Sequence, residues 1–305
     1  MSESGTEDKR EAGNVFDSAA AGDPVDREDG ASSGFGPIEG GGGDAGDHPI
    51  FDIGGGAKTG TCWHDILEML PFDATDETIR EATGKSMRLH GLATGDAKEV
   101  KAQVGTVSEM IRRTLVWQLE SPSGETFSLR DVPMERRFSE WEFDFSSKNA
   151  ESRTPAIAKI LKDEWKDDPE KETFLKAVEN WDREIPQGFF VGFLDLLFEH
   201  GGFWYVVDWK SNKIGGRTKS FSEKGVRDEM AREGYFFQYL LYSAVLHRFL
   251  KETMGAAYSW EKNFGGIRYY FLRGIAAGGE APVFEDRPSE KLLDRLCQAL
   301  GLEDR

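Results

Sequence analysis

The sequence predicts an α/β fold, with one buried central sheet flanked by helices and a helical region at its N-terminal side. Three observations carry this. Residues 192–212, GFLDLLFEHGGFWYVVDWKSN, read as two apolar strands around a glycine-pair turn. Residues 61–117 and 223–251 place apolar side chains at helical spacing. Helix and strand patterns also intermix along the chain instead of falling into separate blocks, and no internal repeat interrupts them.

The first 50 residues hold twelve Asp and Glu against three Lys and Arg. They carry -9 of the formal net charge of -17, which leaves -8 for the remaining 255 residues. With almost no large apolar side chains, this segment cannot bury enough surface to offset chain entropy. It is expected to be a disordered acidic tail or linker, with one folded domain over 51–305. A solubilising role and a tether to another domain fit its composition equally.

The folded part then reads in order. Thr61 can cap a helix whose apolar positions are Trp63, Ile66, Leu67 and Leu70. Residues 76–117 continue in charge-rich helical patterns, of which VSEMIRRTLVWQLE is the most amphipathic. RRFSEWEFDFS alternates as a strand, with Glu140 and Glu142 on one side and Trp141 and Phe143 on the other. Helical stretches over 154–182 lead to the hairpin. A long helix is expected over 223–251, then a strand at GGIRYYFLRGI. PSEKLLDRLCQALG closes the chain as a helix between a serine cap and a glycine stop.

Composition excludes several classes. The net acidity argues against gripping nucleic acid by charge alone. Two cysteines, Cys62 and Cys297, supply neither a disulfide framework nor four thiolates for an iron–sulfur cluster. The sequence has no 18-residue apolar run, and its first residues lack a signal-peptide pattern, so a cytoplasmic location without membrane contact is expected. The loop GGGAKTGT resembles a phosphate-binding loop, but Ala57 stands where that motif needs glycine and no adequate strand precedes it.

The hairpin carries the chemistry. A two-residue turn at Gly201-Gly202 sets residues whose numbers sum to 403 opposite each other, and Asp195 with Asp208 is such a pair. Lys210 projects from the same face. The other face, Leu194, Leu196, Phe198, Tyr205, Val207 and Trp209, is core, and Val191, Phe193, Leu197 and Val206 flank the charges. Two carboxylates about 5 Å apart at an effective dielectric of about 20 repel by about 3 kcal/mol. A shared proton, a salt bridge to Lys210 or a divalent cation would each offset that. The salt bridge is the ordinary reading of Asp-x-Lys. The second carboxylate and the two-sided burial favour a hard cation with oxygen ligands.

These residues resemble the PD-(D/E)XK nucleases, and within them the C-terminal nuclease domain of the RecBCD beta subunit (exonuclease V). GFLD followed by VVDWKSN matches the catalytic motif. YFFQYLLYSAVLHRFL matches the helix with the Gln-x-x-x-Tyr motif, here Gln238 and Tyr242, and NFGGIRYYFLRG matches the strand after it. GGGAKTGTCWHDILEMLPFD matches the segment of the metal-binding histidine, which falls on His64, and EWEFDF the acidic strand, with Glu140 as its acid. The resemblance covers about 51–290 in order. It implies a restriction-endonuclease-like core with a mixed sheet.

It further implies Mg²⁺ held by Asp195, Asp208, His64 and the Trp209 carbonyl, with Lys210 acting on the attacking water or the developing charge. Imidazole is an unusual Mg²⁺ ligand and suits Mn²⁺ better. Gln238 and Tyr242, at i and i+4, can converge on the site. Arg268, Arg273 and the segment KSNKIGGRTK offer phosphate contacts, although a solvated loop explains any one of these equally well. A packing helix explains Gln238 and Tyr242, an edge strand Glu140, and a non-ligand His64 is common. His200 reads as solvated on its turn, and His247 as a helix-surface residue.

The implied activity is Mg²⁺-dependent exonucleolytic hydrolysis of DNA in double-strand break repair, recombination or degradation. The implied partners are DNA and a RecBCD-type helicase complex. The competing expectation is a catalytically weak docking platform for a recombinase or helicase, which would tend to lose the Asp195, Asp208 and Lys210 set. No motor motif occurs in these residues, so a free-standing relative, a split-gene product and a fragment all fit.

Overall fold

The computed structural model describes residues 47–147, 153–179 and 188–302. The expectation for 1–46 lies outside the described residues. Residues 47–50 do not: Ile50 is fully buried and Phe51 nearly so. The packed part therefore begins before the expected boundary at residue 51.

Three helices open the fold: α1 (Ala57–Met69), α2 (Asp76–Leu89) and α3 (Ala97–Leu115). Helix α1 starts one turn earlier than the Thr61 cap predicts, and the Thr61 hydroxyl bonds back to the Ala57 carbonyl inside the helix. A helix begins at the glycine loop, and a 3-10 turn (Pro49–Phe51) and not a strand precedes it among the described residues, in line with the rejection of the phosphate-loop reading. Thr75 caps α2, and Asp96 with Glu99 forms a capping box on α3. The short pair β1 (Leu119–Glu120) and β2 (Thr126–Phe127) follows.

The main sheet has five strands in the order β3-β4-β5-β6-β7: β3 (Arg137–Ser147), β4 (Gly188–His200), β5 (Phe203–Lys210), β6 (Phe264–Phe271) and β7 (Val283–Asp286). It is mixed, since β5 and β6 are parallel and the other neighbours antiparallel. Helices α4 (Arg153–Trp165) and α5 (Glu172–Glu179) lie between β3 and β4. The parallel crossover from β5 to β6 is made by α6 (Glu223–Arg232), α7 (Tyr235–Met254) and the short α8 (Trp260–Asn263).

Two expectations are corrected here. The predicted helix over 223–251 is two helices, because Gly234 takes a left-handed conformation at φ 76° and turns the chain between them. The segment LRGI does not continue its strand. It forms α9 (Leu272–Ala277). The closing helix α10 (Glu290–Leu300) has the expected Ser289 cap and Gly301 stop. No helix among the described residues is long and apolar enough to cross a membrane.

Helix α7 is buried over most of its length and lays Tyr242 against Phe143 and Phe249 against Trp141. Its His247 is fully buried, not a surface residue: Nδ1 faces the Tyr258 hydroxyl and Nε2 the Asp294 carboxylate. His200 is likewise packed, stacked 4.2 Å from the Phe127 ring, because β2 closes over the hairpin turn.

The hairpin register is the expected one. Gly201 and Gly202 have φ of 60° and 88°, and pairs run from His200↔Phe203 to Leu196↔Val207. The pairing then stops. Beyond Leu196, β4 continues on β3 alone, and beyond Val207, β5 continues on β6 alone. The sheet forks, and Asp195 and Asp208 are the first residues past the last pair. They are therefore not the directly opposed ladder pair that the register alone predicts.

Candidate metal centre

The fork leaves the β4-facing backbone groups of β5 without strand partners, and side chains take them. The Trp209 N–H donates to Asp195 Oδ2 at 2.7 Å. The Trp209 carbonyl accepts from His64 Nε2 at 2.9 Å. Both side chains thus grip one residue of β5, on its two flanking peptide groups, and His64 Nδ1 stands 3.4 Å from Asp195 Oδ1.

Helix α1 delivers His64 by burying Cys62, Trp63, Ile66 and Leu67 on one stripe, which leaves His64 and Asp65 on its half-buried flank. Asp65 meets His90 at 2.7 Å and the Ser86 hydroxyl bonds to the Cys62 carbonyl, so α2 holds α1 in place. Burial works against a charged His64 ring, but the Asp195 carboxylate, with Asp208 behind it, outweighs this and raises its pKa to about 9. Burial likewise opposes charge on Asp195, yet His64, the Trp209 N–H and Lys210 hold its carboxyl below the usual range.

Glu140 joins them from β3. The pairs Ser139↔Leu196 and Trp141↔Leu194 bracket Glu140 and Asp195. One ligand atom each from His64, Glu140 and Asp195 lie within 4.8 Å of one another. Glu140 is exposed, and among the described residues it is the only non-glycine with positive φ, at 49°. Such a conformation in a strand is strained by about 1–2 kcal/mol and concentrates at functional sites.

On the other side, Lys210 Nζ lies 2.7 Å from Asp208 Oδ2 and donates to Gln238 Oε1 at 3.1 Å. The ammonium also sits 3.9 Å from the Tyr235 ring centroid and 5.2 Å from that of Tyr269. Gln238 Oε1 accepts a second bond from the Tyr269 hydroxyl, and its amide donates to Tyr242. An imidazole, three carboxylates, a carbonyl and a held ammonium thus lie at the end of two splayed strands. The sequence model of the PD-(D/E)XK nuclease superfamily matches residues 51–301.

The chain belongs to the PD-(D/E)XK nuclease superfamily.

Within this superfamily, three curated relatives of the chain bear the name RecBCD enzyme subunit RecB. It is 39% identical to the RecBCD enzyme subunit RecB of Haemophilus influenzae over 110 residues, which is 36% of this chain and 9% of that protein. The Escherichia coli subunit is 34% identical over 122 residues, 39% of this chain and 10% of that one. The subunit from Mycolicibacterium smegmatis is 24% identical over 257 residues, 79% of this chain and 23% of that one. The chain thus matches between about a tenth and a quarter of the length of these relatives.

The four residues expected at DNA are all buried in this PD-(D/E)XK domain, although Gln238 and Tyr242 do converge on the site. Gln238 and Tyr242 are buried, with the Gln-x-x-x-Tyr face turned inward onto Lys210 and Tyr269. Arg268 is buried between Glu285, at 3.0 Å, and the Tyr205 ring, and it donates to the Ile267 and Glu120 carbonyls. Arg273 is fully buried and bonds to backbone carbonyls. Lys213, Arg217 and Lys219, by contrast, are exposed on the loop after Lys210.

Sequence reasoning missed Tyr235 and Asn212. The Tyr235 hydroxyl and the Asn212 amide bond each other, and Asn212 also donates to the buried Glu229. Their signal was present: Tyr235 lies three residues before Gln238 on one helix face, and Asn212 two residues after Lys210. The donor set of the fork fits a divalent cation of the Mg²⁺ and Mn²⁺ class, being oxygen-rich with one nitrogen.

Proposed function

We propose that the chain is a divalent-metal-dependent deoxyribonuclease of the RecB type, hydrolysing phosphodiester bonds exonucleolytically in break repair, recombination or DNA degradation. The observation that carries this is the fork, where His64, Glu140 and Asp195 gather and Asp208, the neighbouring carboxylate, pairs with Lys210. His64, Asp195, Asp208 and the Trp209 carbonyl would hold Mg²⁺, or Mn²⁺ to suit the imidazole, with Glu140 as the further acid. Bound there, the cation would supply Lewis-acid activation of water and phosphodiester.

The chain's own residues do the rest. Asp195 and His64 fix the backbone on both sides of Trp209, so the carbonyl keeps one direction. Gln238 and Asp208 aim the Lys210 ammonium into the mouth of the fork, where it orients the attacking water or stabilises charge developing on the phosphoryl oxygens. The aromatic faces of Tyr235 and Tyr269 confine it without neutralising it. The exposed Lys213, Arg217 and Lys219 contact the strand's phosphates. DNA is the substrate, and the names of the relatives support a RecBCD-type helicase complex as the partner that hands it over. An acidic chain needs that delivery, since it captures DNA poorly by charge.

The test is cleavage of linear DNA by the purified chain with Mg²⁺ or Mn²⁺, with and without ATP, beside Asp208→Ala and Lys210→Ala. Weak, ATP-independent, salt-sensitive cleavage that both substitutions abolish is expected. Absence of cleavage with either metal would overturn the assignment, and ATP-stimulated cleavage by the chain alone would contradict it.

A further inference from the structure

Arg273 is a cation in the interior with an unusual set of partners. It stands on α9, just past β6, and is 0% exposed. Nε donates to the Ser211 carbonyl at 2.8 Å. One terminal nitrogen donates to Ile50 at 2.6 Å and Ile53 at 3.0 Å, and the other to Gly54 at 2.6 Å, all carbonyls. The guanidinium also lies 4.7 Å from the centroid of the Trp63 ring. Among the described residues it pairs with no carboxylate. Four carbonyl acceptors satisfy a buried fork of donors geometrically, but they supply less charge compensation than an acid would. Burial accordingly lowers its pKa to about 10.

The two sets of acceptors belong to opposite walls of the metal centre. Ser211 follows Lys210 and stands two residues after Trp209. Ile50, Ile53 and Gly54 belong to the strap that leads into α1, and Trp63 precedes His64 on that helix. Lys213 bonds the Phe51 carbonyl at 2.9 Å and the Asp47 carboxylate takes the Thr218 N–H, so the same loop holds the strap at two further points. The contact these ties protect is His64 Nε2 on the Trp209 carbonyl.

We propose that Arg273 is a positioning residue for the metal centre. It clasps the entry of α1 to the exit of β5 and thereby sets His64 against Asp195 and the Trp209 carbonyl. The proposal rests on the metal reading of the fork. Groups that orient metal ligands without touching the ion commonly change affinity by about 10–100-fold when altered. Lysine at this position keeps the charge but cannot reach four carbonyls from two segments at once.

The experiment is calorimetric titration with Mn²⁺ alone, comparing the unaltered chain, Arg273→Lys, His64→Ala and the double variant. Arg273→Lys should weaken Mn²⁺ binding about 10-fold or more, and should have no further effect once His64 is gone. Unchanged affinity in a folded Arg273→Lys protein, or an equal loss in the His64→Ala background, would overturn the role. No Mn²⁺ binding by the unaltered chain would instead overturn the metal reading, and the proposal with it. If Arg273→Lys does not fold, Lys213→Met removes an outer tie and leaves the Arg273 clasp, and a titration without DNA does not sense its proposed phosphate contact. Faster amide exchange at the start of α1 with weaker Mn²⁺ binding is then expected, and faster exchange with unchanged binding would overturn the role.

Discussion

The Lys210 ammonium donates to Gln238 Oε1 at 3.1 Å, and that oxygen also accepts from the Tyr269 hydroxyl. One buried amide on α7 thus organises the ends of β5 and β6. Gln238→Leu keeps the volume and removes the acceptor. It takes one acceptor from Lys210 and one from Tyr269, and the loss of such buried hydrogen bonds costs about 1–3 kcal/mol of stability. Lys210 would lose its aim, and a misplacement of about 1 Å lowers turnover roughly 100-fold. Single-turnover cleavage and urea denaturation check both numbers. Unchanged cleavage in the variant would show that Lys210 needs no such support.

Glu140 combines strain with a site position, so its two effects have opposite signs. Glu140→Gly releases the φ of 49° and should stabilise the fold by up to about 1 kcal/mol. The same change removes a carboxylate from the cluster with His64 and Asp195 and should lower metal-dependent cleavage. Glu140→Gln keeps the strain and loses the charge, so it should lose cleavage with no gain in stability. A destabilised Glu140→Gly protein would mean that the backbone there is held by something other than the site.

The hairpin was legible because one glycine pair fixes its register and strand period fixes its faces. That reasoning places Asp195, Asp208 and Lys210 in one neighbourhood. It failed at the fork, because a strand leaving its partner carries no signature in a period of two. Arg268 and Arg273 were misread for a different reason. A long cation near a site reads as surface from sequence, and its burial depends on carbonyls such as Ile50 and Ser211 that converge only in the fold. For Gln238 and Tyr242 the i, i+4 spacing gave the right helix face, but not whether that face looks at DNA or at Lys210. His247 was missed similarly, since its partners Tyr258 and Asp294 come from other elements.

Cation binding should be visible without catalysis. Carboxylates gathered at the fork favour a folded state that holds a divalent ion, and binding to the folded state alone adds about 2.7 kcal/mol when the ion is at about 100 times its dissociation constant. Mn²⁺ should therefore raise the thermal midpoint of the unaltered chain by several degrees, and a chelator should reverse it. Asp195→Asn should remove the gain, because it takes the negative charge from a ligand while its amide oxygen can still accept the Trp209 N–H. An equal Mn²⁺ shift in Asp195→Asn would place the ion elsewhere.

Where the folded part begins decides the outcome of truncation. A chain starting at residue 47 keeps Asp47 on Thr218, and it keeps Ile50, Phe51 and Ile53 in the core. Its melting midpoint should match that of the full chain. A chain starting at residue 57 loses those three apolar side chains, each contributing about 1.5–3 kcal/mol on full burial. It also strips Arg273 of the Ile50, Ile53 and Gly54 carbonyls and leaves a cation in the interior with the Ser211 carbonyl and the face of Trp63. Removing the partners of a buried charge alone destabilises by about 3–5 kcal/mol. The two truncations should therefore differ by at least about 3 kcal/mol in denaturant unfolding, with the longer chain the more stable. Equal stability would mean that the segment from 47 to 56 does not pack on the domain in solution, and that the guanidinium of Arg273 finds its acceptors elsewhere.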